Sequence, residues 1–344
     1  FKQKTAYEIP LRLVGSEMCI RDRYYWLNQR GNDDVIRYLN EENNYRDEYM
    51  KDYKPLEDKI FQEIKSRIKE DDSSVPYFYN DYFYYTRYEK DKQYPIYCRK
   101  KGNIEADEEI LIDVNLMSEG YEYFRIGDIE ISPDDKIMAY SVDTLSRRIY
   151  TIHFMDLKTR EVHKSNIKNT SGSITWANDI KTIFYNIRNA ETLRSEKVMK
   201  HKLNSASKDQ EVYFEEDETF SVYSYKTKTD KYIVIGSSAT LSQEFRYLDA
   251  NNPDGDFKIF QERVKGLEYS ISHFNNKWFI RTNKEGATNF KLMVCDENNT
   301  TSNKWNNYLE HREDVLLENV DFFKNHMVIM EDANLEDAVN GLIG

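Results

Sequence analysis

The sequence predicts a mainly β fold, a β-propeller of four-stranded blades, preceded by an α-helical segment. First, one phrase recurs six times between Pro76 and Met330: a β-rich run, a tight polar turn and a second β-rich run. The turns are Asn80-Asp81, Asp134-Asp135, Asp179-Ile180, Thr229-Asp230, Asn275-Asn276 and Lys324-Asn325, at intervals of roughly 45 to 54 residues, which is the period of propeller blades. Second, each turn leads into a strand-like stretch, such as Phe83-Tyr84-Tyr85, Ile137-Met138-Ala139-Tyr140, Ile183-Phe184-Tyr185 or Tyr232-Ile233-Val234-Ile235. Third, 27 Tyr, 17 Phe and 4 Trp among 344 residues suit half-buried strands, where a ring packs and a hydroxyl stays wet.

Residues 1–23 do not fit the rest of the chain. They lack the apolar central run of a signal peptide and resemble a translation of DNA-sequencing adapters, over Lys2–Glu8 and again over Leu13–Asp22. They are expected to be no part of the folded protein. Residues 24–70 read as helical. Asn32-Asp33-Asp34 offers an N-cap and an acidic first turn, and Leu56, Ile60, Phe61, Ile64 and Ile68 repeat at three- and four-residue spacing. Pro55 sits where a first-turn proline is tolerated. Two such amphipathic helices cannot bury their apolar stripes alone and need a partner surface. Residues 71–76, Asp-Asp-Ser-Ser-Val-Pro, form a linker between helix-period and strand-period text. From Tyr77 to Gly344 the text is strands and turns, and the last blade is expected to be incomplete.

Formal net charge is −12. Residues 1–23 hold five basic and three acidic side chains, so the remainder stands at −14. With no Lys/Arg block free of acidic residues, nucleic acid is excluded as a partner. No apolar run approaches the roughly 18 residues of a membrane helix, so no membrane partner is expected. Cys19, Cys98 and Cys295 form no metal-type spacing; sparse thiols point to the cytoplasm, with a periplasmic location also open. Asp249 to Gly255 has the outline of a calcium loop, but Pro253 holds a ligand position and Phe260 the place of the closing Glu. No metal or other cofactor is therefore expected.

No catalytic residue is expected either. Gly15, Gly172 and Gly236 are the glycines nearest to a nucleophile-elbow pattern, and none completes G-x-S-x-G. There is no P-loop or dinucleotide glycine pattern. Carboxylates are too numerous, at 61, for chance pairs to carry weight. Trp176 is read as a core residue, and Arg194 and Arg246 as arginines pairing along strand edges.

Several runs then carry a resemblance. They are Tyr24-Tyr25-Trp26-Leu27, Tyr38-Leu39-Asn40-Glu41-Glu42-Asn43, Tyr94-Pro95-Ile96-Tyr97-Cys98-Arg99 and Ser132-Pro133-Asp134. Ala139-Tyr140-Ser141-Val142-Asp143-Thr144 with Arg147-Arg148, Thr192-Leu193-Arg194 and Arg246-Tyr247-Leu248-Asp249 complete the set. Together they resemble the prolyl oligopeptidase family, in its oligopeptidase B (protease II) branch. The resemblance implies a seven-bladed propeller of which about five and a half blades are present. It implies that residues 24–70 pack on an α/β-hydrolase domain carrying Ser, Asp and His outside this sequence, and that Ser73, Ser74, Val75 and Pro76 belong to an interdomain hinge. It implies a parent serine oligopeptidase that cleaves short basic peptides after Arg or Lys, gated by the propeller. A stand-alone propeller interaction module is the alternative.

Overall fold

The structure, a computed structural model, describes residues 24–205 and 207–333. The expectations for residues 1–23 and for the end of the chain beyond Ala333 lie outside the described residues. Two compact units meet in sequence between Asp72 and Ser73.

In the first unit, helix α1 (Asp33–Met50) begins where expected: the Asn32 side chain accepts the Asp34 N–H at 2.9 Å, with Asp33 and Asp34 in the first turn. That arrangement caps orphan donors and opposes the helix dipole. Helix α2 (Lys54–Ser66) carries Pro55 in its first turn. Trp26 packs edge-on against Tyr38 at 5.5 Å, and Val35 is buried. Ile36, Leu39, Leu56, Ile60, Phe61 and Ile64 are all exposed.

The second unit is built of blades. The first blade is β1 (Tyr77–Tyr79), β2 (Tyr82–Arg87), β3 (Ile96–Lys101) and β4 (Glu108–Asp113). The second is β5 (Arg125–Ile131), β6 (Ile137–Asp143), β7 (Tyr150–Asp156) and β8 (Val162–Thr170). The third is β9 (Ile174–Trp176), β10 (Thr182–Arg188), β11 (Ser195–Lys202) and β12 (Gln210–Phe214). The fourth is β13 (Ser221–Lys226), β14 (Tyr232–Ala239), β15 (Ser242–Asp249) and β16 (Lys258–Gln261). The fifth is β17 (Tyr269–Phe274), β18 (Lys277–Thr282), β19 (Lys291–Asp296) and β20 (Asn306–Leu309). Each is an antiparallel meander, and β21 (Val315–Phe322) with β22 (Met327–Ala333) forms a two-stranded sheet after them. Five and a half blades are thus described, as expected.

Every repeated turn joins the first strand of a blade to its second. Asn80, Asp81, Asp135, Asp230, Asn275 and Asn276 all adopt positive φ there, a region that Asn and Asp enter at low cost. Ile180 does so too, at φ 59°. A β-branched residue is strained in that region, and the Asp179 carboxylate beside it holds the turn by accepting the Thr182 N–H at 2.8 Å.

The second strands are buried on nearly all positions, as in β6 and β14. Each is covered by a neighbouring blade on both faces, so its sequence reads as an apolar run and not as an alternation. Five apolar clusters fill the seams between successive blades. The seam between the fourth and fifth blades is aromatic: Trp278, fully buried, packs against Tyr232, Tyr247 and Phe260 at 5.1 to 5.5 Å. In every four-stranded blade the third and fourth strands pair through a register shift, for example between Tyr97 and Cys98 and between Phe245 and Arg246. Such bulges bend and twist the outer strand. Among the described residues no helix is long and apolar enough to cross a membrane.

Candidate functional site

The first strands of the blades meet one another at the axis. The Asp128 carboxylate of β5 accepts the Ile174 N–H of β9 at 3.0 Å, Thr175 donates its hydroxyl to the Ser224 carbonyl at 3.3 Å, and Tyr225 donates to the Ile271 carbonyl at 3.4 Å. The axis has two chemically different ends. One carries the turns between first and second strands; the other carries the starts of the first strands and the loops between second and third strands.

At the turn end, Tyr79 donates to Asp230 at 3.4 Å, although 151 residues separate them. Lys226 pairs with Asp230 at 3.3 Å and Lys228 with Asp321 at 2.8 Å. Glu130 is exposed and near enough to feel the charges of Lys226 and Asp230. Crowding by protein pushes its carboxyl up to about 8, the neighbouring Asp128 charge adds to the rise, and Lys226 opposes it. Unfolded, the group would titrate near 4.5. Between these values the folded state holds the extra proton, so the Glu130 contribution to stability is present in acid and is lost as pH rises through about 8. Glu130→Gln should therefore melt like the parent at pH 5 and about 2–4 °C higher at pH 8.5, from on the order of 1 kcal/mol once solvent screening is allowed for. Thermal melts across that range test this.

At the opposite end, Arg125, Arg148 and Arg188 border a cavity of about 580 Å³ together with Asp128, Tyr150, Asn186 and Ser195. Arg125 opens β5, Arg148 precedes β7 and Arg188 closes β10, so three separate strand ends bring them together. Gly127 and Gly172 permit the packing of Tyr150 beneath them: a Cβ on Gly127 would lie 2.7 Å from the Tyr150 ring, and one on Gly172, at φ +98°, 2.9 Å from it. Among the described residues no carboxylate lies within ion-pair distance of these guanidiniums. The Asn186 Oδ1 accepts the Ser173 and Ser224 hydroxyls at 2.8 and 3.0 Å. Its Nδ2, the Arg188 Nε and the Ser195 Oγ are buried without a partner, each at a cost of about 1–3 kcal/mol.

The expected hinge residues are partly pinned. Ser73 forms an isolated β-bridge with Arg87, the Ser74 N–H donates to the Thr86 carbonyl at 2.8 Å, and the Thr86 N–H donates to the Ser74 hydroxyl at 2.9 Å. Val75 is 89% exposed, and Val75-Pro76 leads directly into β1. Trp176 is buried and donates its indole N–H to the Glu130 carbonyl at 3.2 Å. Arg194 donates to the Phe220 carbonyl at 2.8 Å, and Arg246 pairs with Glu244 and lies over the Tyr213 ring. In the calcium-like stretch, Asp254 is engaged by Lys200 at 3.0 Å. Among the described residues no group of three His, Cys, Asp or Glu side chains could hold a metal ion. Cys98 and Cys295 are buried free thiols, both pushed up to about 12 by burial first and by adjacent carboxylates second.

A hydroxyl–imidazole–carboxylate relay does occur. Thr229 Oγ1 lies 2.7 Å from His273 Nδ1, and His273 Nε2 lies 2.8 Å from Glu297. Burial lowers the His273 pKa despite Glu297, Lys231 neutralises Glu297, and Thr229 also shares a hydrogen bond with Thr227 at 3.1 Å. The relay fastens the turn of the fourth blade to β17; its hydroxyl belongs to a tight turn and not to an exposed elbow.

Residues 12–341 match the family described as prolyl oligopeptidase, N-terminal beta-propeller domain. The chain is 38% identical to a dipeptidyl aminopeptidase BI of Pseudoxanthomonas mexicana, over 91% of the chain and 46% of that protein. It is 32% identical to a protease 2 of Moraxella lacunata, over 90% and 45%. Oligopeptidase B of Leishmania major superposes with a TM-score of 0.81 at 32% identity, over 91% of the chain and 45% of that structure. The Trypanosoma brucei oligopeptidase B does so with 0.79 at 27%. The chain spans about half the length of the curated relatives it matches.

Proposed function

This chain belongs to the prolyl oligopeptidase family, as its N-terminal β-propeller domain, and from that premise we propose that it is the gating part of a serine-type oligopeptidase acting after Arg or Lys in short peptides. One observation carries the reading: the match to the propeller domain runs along 12–341, while the relatives are about twice as long. In this reading the nucleophile, its histidine and its acid belong to an α/β-hydrolase domain encoded in the remaining half. The propeller covers that site and admits short peptides. The acidic balance, −14 without residues 1–23, supplies at most a background field that favours cationic peptides. Ser73 to Pro76 acts as one strand of the hinge, with Val75 and Pro76 its free section, and the enzyme works in the cytoplasm.

The test compares the 344-residue chain with the same gene product extended to the length of its relatives. The chain alone should not turn over blocked Arg or Lys ester substrates, and the extended protein should, with loss of activity on treatment with a serine-directed acylating inhibitor. Turnover by the pure chain that resists the inhibitor overturns the reading. A stop codon directly after a seventh blade would instead favour a stand-alone interaction module. The 38% identical relative named as a dipeptidyl aminopeptidase favours a second reading, release of dipeptides from free N-termini. Blocked and unblocked versions of one peptide, compared by product mass, separate the two.

A further inference from the structure

The arginine-bordered cavity has the features of a built anion site. It sets three guanidiniums against the single Asp128 carboxylate, in a protein whose overall charge is strongly negative. Asp128 is already engaged by the Ile129 and Ile174 N–H groups at 3.0 Å each. Arg125 and Arg148 are exposed and carry no ion pair among the described residues, and Arg188 spends one Nη on the Leu193 carbonyl at 3.1 Å. Asn186, 1% exposed, and Ser195 also line the cavity, and the Asn186 Nδ2, Arg188 Nε and Ser195 Oγ are buried in its wall without a partner. Guanidiniums without a carboxylate partner gathered round one space call for an anionic acceptor, and their planar forks match a carboxylate in two-point fashion.

We propose that this cavity binds the carboxylate end of a peptide. Its volume, about 580 Å³, is room for a few residues and not for an isolated ion alone. Tyr150, Val222 and Tyr223 give it apolar wall, and the backbone at Gly127 and Gly172 is bare of side chain. It opens at the axial end where the first strands begin, the same end at which Ser73 to Pro76 enters β1. That the cavity takes a carboxylate stands on these guanidiniums alone; that the carboxylate belongs to a peptide rests on the peptidase reading above. A peptide held here by its C-terminus would have a fixed register, so the site would favour short substrates.

Calorimetric titration of the 344-residue chain tests this without any readout of hydrolysis. The probes are a tripeptide with a free C-terminal acid, the same tripeptide as its amide, and inorganic phosphate. The acid should bind at least tenfold more tightly than the amide, and Arg125→Gln and Arg188→Gln should each erase that preference at unchanged melting temperature. If Arg188→Gln fails to fold, Arg125→Gln and Arg148→Gln, both at exposed positions, decide alone. Equal binding of acid and amide, or preference retained in the variants, overturns the proposal. Phosphate binding without tripeptide binding leaves an inorganic-anion site and overturns the peptide assignment, whatever the extended protein hydrolyses.

Discussion

Replacing Glu215 with alanine should cost about 3–5 kcal/mol and lower the melting temperature by on the order of 10 °C. Glu215 is 4% exposed. Its carboxylate receives Arg263 Nη2 at 2.6 Å, the Tyr213 hydroxyl at 2.8 Å and the Ser237 hydroxyl. Arg263 in turn lies 3.6 Å over the Phe220 ring, and its backbone N–H donates to Glu244 at 3.1 Å. These residues tie the segment between the third and fourth blades to the loop leaving β16. Truncation leaves a half-buried guanidinium without its main counter-charge, which costs more than the pair itself contributes. Glu215→Gln keeps the shape and the hydroxyl contacts and should cost less. The pH dependence has a definite sign. Burial alone would raise the Glu215 pKa, but Arg263, Ser237 and Tyr213 together hold it down at about 2, below the 4.5 of the unfolded group. The native state therefore binds fewer protons in acid, and the contribution is full above about 4.5 and lost as pH falls toward 2. Urea unfolding from pH 7 to pH 2.5 should show the gap between parent and Glu215→Ala shrinking as acidity rises. A gap that stays constant would mean the loss comes from packing and not from charge.

The blade turns were legible because a left-handed turn restricts its own sequence: Asn80-Asp81 and Asn275-Asn276 announce positive φ before any contact is known. The second strands were legible for a related reason, since burial on both faces compels the unbroken runs seen at Ile137–Asp143 and Tyr232–Ala239. The fourth strands were not. β12 and β16 (Gln-Glu-Val-Tyr-Phe and Lys-Ile-Phe-Gln) are outer edges with mixed exposure and a bulge against their partners, so neither period two nor apolar content marks them. The site residues were the least legible. Arg125, Arg148 and Arg188 lie 23 and 40 residues apart in sequence, and each is ordinary where it stands. Only the meander, which returns every blade to the same end of the axis, makes them neighbours. The Glu130–Lys226–Asp230 group at the other end is hidden in the same way, because no local pattern records which strand starts face one another across an axis.

The helical segment yields the other large effect. Ile60, Phe61 and Ile64 on α2 are 47, 60 and 58% exposed, and Ile36 and Leu39 on α1 are each 48% exposed. Side chains three and four apart on one helix present a continuous stripe, and an exposed apolar stripe of this extent marks an interaction surface. In the proposed whole enzyme that stripe is covered by the hydrolase domain. Full burial of each such side chain contributes about 1.5–3 kcal/mol, so Ile60→Lys, Phe61→Glu and Ile64→Lys combined should remove on the order of 5 kcal/mol from the docking of the two domains. The same triple change should act in opposite directions on the two forms of the protein. In the 344-residue chain, where nothing of the proposed partner is present, it should sharpen the monomer peak on sizing and reduce aggregation. In the extended protein it should lower peptidase activity at least tenfold and split one melting transition into two. An extended triple variant that stays fully active and melts in a single transition would show that the stripe faces something other than the catalytic half.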